Sequence, residues 1–142
     1  MAFPQVSWHT DVAFAHEPSK WRNMPKIDLL QGTLDLMVLQ TLTAMGAQHG
    51  YGIARRIEQV SGNEVLLNQG TIYASLVRLE QRGWISSSWG VSGNNRKAKF
   101  YAITKDGRRQ LVKDTHYWAR LTGVMDKVLS MGKAAGEEGG PA

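Results

Sequence analysis

The chain has 142 residues, 42% hydrophobic and 20% charged, a mix that suits one globular domain with a short tail. It has no cysteine, which excludes disulfides, zinc–thiolate centres and thiol nucleophiles. There is no apolar run of about 18 residues to cross a membrane, no basic start followed by an apolar block to mark a secretory leader, and no recurring period of roughly 20–50 residues. The expectation is a cytoplasmic protein with no membrane partner. The net charge of +5 gains meaning from its position: residues 69–110 hold eight basic side chains (Arg78, Arg82, Arg96, Lys97, Lys99, Lys105, Arg108, Arg109) against Glu80 and Asp106, a net +6. Clustering of this kind favours a polyanionic partner over an evenly solvated surface.

Residues 1–25 place Pro4, Pro18 and Pro25 among scattered aromatics (Phe3, Trp8, Phe14, Trp21) without a period. They read as an N-terminal extension, weakly structured or docked on the body, and Met24 is an alternative natural start. From residue 28 a helical spacing appears, with Leu34, Met37, Val38, Thr41, Leu42 and Met45 on one face, Thr33 as N-cap and Gly46 as stop. After a break at His49-Gly50-Tyr51-Gly52, a short second helix should turn Ile53, Ile57 and Val60 inward and Arg55, Arg56 and Glu58 outward, ending at Ser61-Gly62-Asn63. A third helix has Asn68 as N-cap, a buried stripe of Ile72, Leu76 and Leu79, and Gly83 at the left-handed C-terminal position. Its opposite face carries Gly70, Ala74, Val77, Arg78 and Gln81, with Tyr73 on the flank.

The period then changes to two. Trp84–Trp89 and Lys99–Ile103 read as paired strands, and Gly90–Arg96, with Gly93-Asn94-Asn95, as the turn of a β-hairpin with a basic tip. Thr104 caps a last helix that runs to about Met131, with Asp106 suitably placed in its first turn. Leu111, Trp118 and Met125 stand seven apart, with Leu121 and Val128 completing a short heptad-like stripe interrupted by Asp114. That stripe fits either packing on its own domain or the interface of a homodimer. The Gly-, Ala- and Glu-rich stretch 132–142 reads as a disordered tail.

Three helices, a hairpin and a long helix describe a mainly α fold with a small β-hairpin: a winged helix-turn-helix over residues 26–104 and a C-terminal dimerisation helix over 105–131. In this arrangement the third helix lies in the major groove and its first residues meet base edges. Asn68, Gln69 and Thr71 supply polar groups there, Gly70 and Ala74 allow close approach, and Tyr73 can reach a phosphate or stack. The wing residues Arg96, Lys97 and Lys99, next to Asn94 and Asn95, would lie against the backbone or minor groove, where the basic side chains neutralise phosphates and fix position rather than sequence. A merely solvated face is the plain alternative for each element taken alone. Catalysis has little support: His9, His16, His49 and His116 are scattered, and no nucleophile elbow, phosphate loop or metal-ligand spacing occurs. No enzyme activity, metal or cofactor is expected.

Several of these segments together resemble the PadR family of winged-helix transcriptional regulators. The matching pieces are Leu30-Gln31-Gly32-Thr33-Leu34-Asp35-Leu36, His49-Gly50-Tyr51-Gly52-Ile53, Gly70-Thr71-Ile72-Tyr73 with Leu76 and Leu79-Glu80, Gly83, and Asn95-Arg96-Lys97-Ala98-Lys99-Phe100-Tyr101 with Thr104 and Gly107. The chain looks most like the short subfamily with one C-terminal helix, often labelled the acidobacterial type. The resemblance implies a homodimer on operator DNA, usually a repressor, with the third helix in the major groove. Residue by residue it puts Gly70, Thr71 and Tyr73 on the recognition helix and Asn95, Arg96 and Lys97 on the wing; the expected DNA face also takes Tyr51, Asn68, Gln69, Ala74, Arg78 and Lys99, and the expected dimer interface Leu111, Trp118, Leu121, Met125 and Val128. Some members release DNA on binding small aromatic compounds, so a ligand-sensing dimer stays open, as does a winged-helix module that binds protein instead of DNA. Sequences of this type commonly begin near a Met-Pro such as Met24-Pro25, and residues 1–23 depart from that pattern.

Overall fold

The computed structural model describes residues 30–132; the expected extension and tail lie outside the described residues. The elements run α1 (Gln31–Met45), β1 (Gln48–His49), α2 (Gly50–Val60), α3 (Gln69–Gln81), β2 (Ile85–Val91), β3 (Lys97–Ile103) and α4 (Lys105–Leu129). The strands form one antiparallel sheet ordered β1–β3–β2. The fold is the expected winged helix, with four helices and a small sheet among the described residues.

α1 sits centrally and packs against α2, α3, α4 and β3. It buries Leu34, Asp35, Val38, Leu39 and Leu42, while Met37, Thr41 and Met45 are only half-buried. The core stripe is therefore rotated from the expected one, because a helix with neighbours on several sides buries more than one face. Thr33 does not cap it: extended backbone at Leu30 marks the boundary, and Thr33 lies inside the first turn. Gly46 ends the helix as expected, at φ +82°.

α2 begins at His49, whose Nδ1 accepts a hydrogen bond from the Gly52 amide at 3.0 Å. Ile53, Ala54 and Ile57 point inward. Val60, expected inside, is 72% exposed. Glu58 is half-buried and its Oε2 accepts from the Leu67 amide at 2.9 Å, so it anchors the approach to α3. α3 follows the expected design. Asn68 Oδ1 accepts from the Thr71 amide at 2.8 Å, and Ile72, Ser75, Leu76 and Leu79 are buried. Gly83, at φ +76°, donates to Glu80 O while Trp84 donates to Leu79 O, the paired closure that only a left-handed residue permits cheaply.

Both hairpin strands are longer than expected. Ile85 pairs with Ile103 and Val91 with Lys97, so the turn narrows to Ser92–Arg96, with Asn95 at φ +63°. β1 was not expected, since two residues carry no period; it pairs with the other edge of β3 at Gln48↔Tyr101 and His49↔Phe100. Thr104 alone separates β3 from α4. Its Oγ1 accepts from the Gly107 amide at 3.0 Å and donates to Gly83 O at 2.7 Å, joining the end of α3 to the start of α4. Gly107 is buried there, and a Cβ on it would stand 2.0 Å from Trp84 O.

The core runs from Leu34 and Leu39 through Ile53, Ile72 and Leu79 to Ile85, Tyr101 and Leu111. Leu111 is a correction: expected at a dimer interface, it is 8% exposed in this chain's own core, because the first part of α4 lies on α1. Beyond Leu111 no residue of α4 is buried.

Candidate nucleic-acid interface

The start of α3 is the most open part of that helix. Gln69, Gly70, Thr71, Tyr73 and Ala74 are all exposed, while Ile72, Ser75 and Leu76 hold the opposite side in the core. The first amides of a helix have no partner within it, so this turn presents donors outward. A Cβ on Gly70 would meet only Asn68 Oδ1, at 3.4 Å. The body of the protein does not require glycine at that position.

Two expected contacts change in detail. Asn68 is exposed, but its Oδ1 already accepts from both the Thr71 amide and, at 3.0 Å, the Thr71 hydroxyl. A two-point grip on adenine needs that oxygen, so Asn68 acts as the helix cap and Gln69 becomes the first amide side chain able to read a base. Arg78, expected on the outward face, is turned inward. Its side chain is 21% exposed and forks onto the buried Asp35 carboxylate, Nη2 to Oδ1 at 2.7 Å and Nε to Oδ2 at 3.2 Å. Hydrogen bonding to Asp35 raises the Arg78 pKa above its ordinary value, against desolvation, so the guanidinium stays charged throughout. The α3 periodicity placed Arg78 at the edge of the outer face, and only the tertiary contact with α1 decides its direction.

The wing stands beside α3. Ser87 Oγ donates to Glu80 Oε2 at 2.6 Å, and Lys99 Nζ lies 4.0 Å from Glu80 Oε1. Cross-strand neighbours share a sheet face, so Trp89 and Val91 lie with their partners Lys99 and Lys97 on the face that also carries Ser87 and Tyr101. Lys97 Nζ sits 5.8 Å from the Trp89 ring centre. Trp89 is 65% exposed, and sequence reasoning missed it; strict alternation from Ser87 through the strand was the available signal. Asn95, Arg96 and Lys97 are exposed at or beside the turn. Tyr101 is buried below this face, and its phenol is held protonated above the usual range, first by burial and then by Glu80 and Tyr73. Tyr51 is exposed in the first turn of α2, and Arg55 both donates to its hydroxyl and lies over its ring.

The remaining expected residues lie elsewhere. Trp118, Met125 and Val128 are exposed along α4, Leu121 is half-buried, and Val124 and Leu129 add to the apolar surface. Trp118 also borders a cleft of about 560 Å³ between α1, α2 and α4, lined by Leu36, Met37, Ala44 and Ile57 among others. Among the described residues no cluster of metal-binding side chains occurs, and no helix is long and apolar enough to cross a membrane.

An exposed helix start, with a basic wing against the last turn of the same helix, on a three-helix body, defines a winged-helix DNA-binding protein. The model of the transcriptional regulator PadR-like family matches residues 38–113, more than half of the chain. The chain belongs to that family and is a DNA-binding transcriptional regulator, not an enzyme. It is similar to a transcriptional regulator of known structure from Clostridium thermocellum, at 26% identity and TM-score 0.62, over 68% of this chain and 93% of that one. A PadR family transcription regulator from Clostridium difficile is 28% identical, with TM-score 0.58, over 68% and 97% of the two chains. An uncharacterised protein of Lysinibacillus sphaericus is 28% identical over 103 residues, 72% of this chain and 94% of its own length.

Proposed function

We propose that the protein is a cytoplasmic homodimeric repressor that binds a palindromic operator in double-stranded DNA. Residues 26–104 are the DNA-binding unit and residues 105–131 the dimerisation helix. The first two turns of α3 enter the major groove, with Gln69, Gly70, Thr71, Tyr73 and Ala74 toward the bases and flanking backbone and Asn68 holding the helix start in shape. Asn95, Arg96, Lys97 and Lys99, with Trp89 beside them, lie along the adjacent backbone, and Tyr51 meets a phosphate from the other side. The observation that carries this reading is Gly70, a small residue the body does not need, at the exposed start of a helix whose last turn meets the lysine-bearing face through Glu80.

Trp118, Leu121, Met125 and Val128 form the seam between two copies. An apolar stripe left uncovered in a single chain supports that role. Two-fold pairing matches palindromic half-sites. The test is an anisotropy titration against the duplex upstream of the protein's own gene and a shuffled duplex of equal length, with sedimentation of the complex. Selective, salt-dependent binding of two chains per site is expected. Equal binding to both duplexes, or affinity indifferent to salt, refutes the reading.

The cleft beside Trp118 favours a second role for the same dimer, release of DNA by a small aromatic effector. Its volume of about 560 Å³ falls within the range of roughly 300–1,000 Å³ typical of small-molecule sites. Planar aromatics should quench tryptophan emission in the wild-type protein and not in Trp118→Phe; equal quenching in both places the ligand elsewhere.

A further inference from the structure

α1 and α3 pack together in the core, and one carboxylate stands between them. The Asp35 side chain is 7% exposed, and Ser75 is fully buried. Ser75 Oγ donates to Asp35 Oδ1 at 2.6 Å, the Arg78 fork engages both oxygens, and Arg82 Nη1 lies 3.8 Å from Oδ2. Two hydrogen bonds from one planar guanidinium fix direction as well as distance. Ser75 and Arg78 are three residues apart, so α1 grips a single flank of α3. At 100° per residue, Arg78 occupies the same flank as Thr71, two turns further along. An arginine on that flank, if not drawn inward, would stand beside the phosphates that border the groove.

We propose that Asp35 is a specificity-setting positioning residue: it fixes the rotation of α3 through Ser75 and Arg78 and withholds Arg78 from DNA phosphates. The proposal rests on the reading of α3 as the groove helix. Rotation matters because it decides which of Gln69, Tyr73 and Ala74 meet the bases. Withholding matters because a phosphate-bound arginine strengthens binding to every sequence alike and so narrows the gap between operator and other DNA. Stability alone would not call for this arrangement, since a buried ion pair is often no better than well-packed apolar side chains of the same volume.

The test uses the full chain as wild type, Asp35→Asn and Asp35→Asn/Arg78→Gln. Each is titrated with the upstream duplex and the shuffled duplex between about 50 and 200 mM salt, with circular dichroism melts alongside. Asp35→Asn should tighten binding to the shuffled duplex about threefold and steepen the log–log salt slope by about 0.9 for each protomer bound. The preference for the upstream duplex should fall about tenfold, and adding Arg78→Gln should return the slope to the wild-type value. A slope untouched by Asp35→Asn in a folded, selective protein overturns this proposal alone. Wild-type protein with no preference between the duplexes overturns the groove-helix reading and this proposal with it. If Asp35→Asn does not fold, Arg78→Gln alone decides. A wild-type slope supports the proposal, and a slope shallower by about 0.9 per protomer means that Arg78 already neutralises a phosphate and overturns it.

Discussion

Gly70→Ala separates folding from function in opposite directions. The new Cβ would touch only Asn68 Oδ1 at 3.4 Å, an ordinary contact, and Gly70 has no left-handed φ to lose. Replacing glycine by alanine within a helix stabilises by roughly 0.5–1 kcal/mol, so the melting temperature of the isolated protein should hold or rise. On DNA the methyl group would occupy the space through which, on the proposed reading, the helix start approaches the backbone. Losing one charge-assisted hydrogen bond from a helix amide to phosphate costs about 1.5 kcal/mol at each half-site. Two half-sites make about 3 kcal/mol, about a hundredfold in Kd. Thermal melts followed by circular dichroism and anisotropy titrations on the same preparations read both quantities. Unchanged affinity in a stable Gly70→Ala protein would refute the close approach of α3 to DNA.

The buried Gly107 behaves oppositely: Gly107→Ala forces a Cβ to 2.0 Å from Trp84 O, and a urea midpoint should fall by an amount equivalent to about 3 kcal/mol or more, the upper end for overpacking. Arg96→Ala should weaken binding to the upstream and shuffled duplexes by the same factor and make the salt slope shallower by about 0.9 per protomer, while a loss confined to one duplex would mean that Arg96 reads bases. Met125→Asp places a charge on a side chain 47% exposed in the single chain, so helix content should persist while sedimentation shifts from dimer to monomer; a dimer that survives the change puts the seam elsewhere.

Much of this fold was legible because its signals are local. Asn68, Gly83 and Thr104 terminate elements through bonds within a few residues, and Ile72, Leu76 and Leu79 mark one face of a helix that has a single buried side. α1 was less legible, since periodicity gives the direction of a face but not how many neighbours a central helix has; Asp35 and Leu39 were lost that way. The direction of Arg78 depends on a partner 43 residues away. Leu111 fits the same heptad as Trp118, and only the length over which α4 lies on α1 separates a core position from an uncovered one. Trp89 already ends the expected strand, but Lys97 is brought beside its ring only by the Val91↔Lys97 pair beyond it, which a turn placed from Gly90 hides.

The single residue between β3 and α4 has a mechanical meaning. Thr104 is bonded on one side to Gly83 and on the other to Gly107, so the wing, the end of α3 and the base of α4 share one rigid joint without slack. In the proposed dimer, the two reading heads are then set apart by a fixed ruler rather than by a tether. One base pair added between half-sites moves them by about 3.4 Å and turns them by about 35°, a mismatch a tether would absorb and this joint does not. On that proposal spacing is part of what the protein recognises, and one hydroxyl group within a single joint sets it.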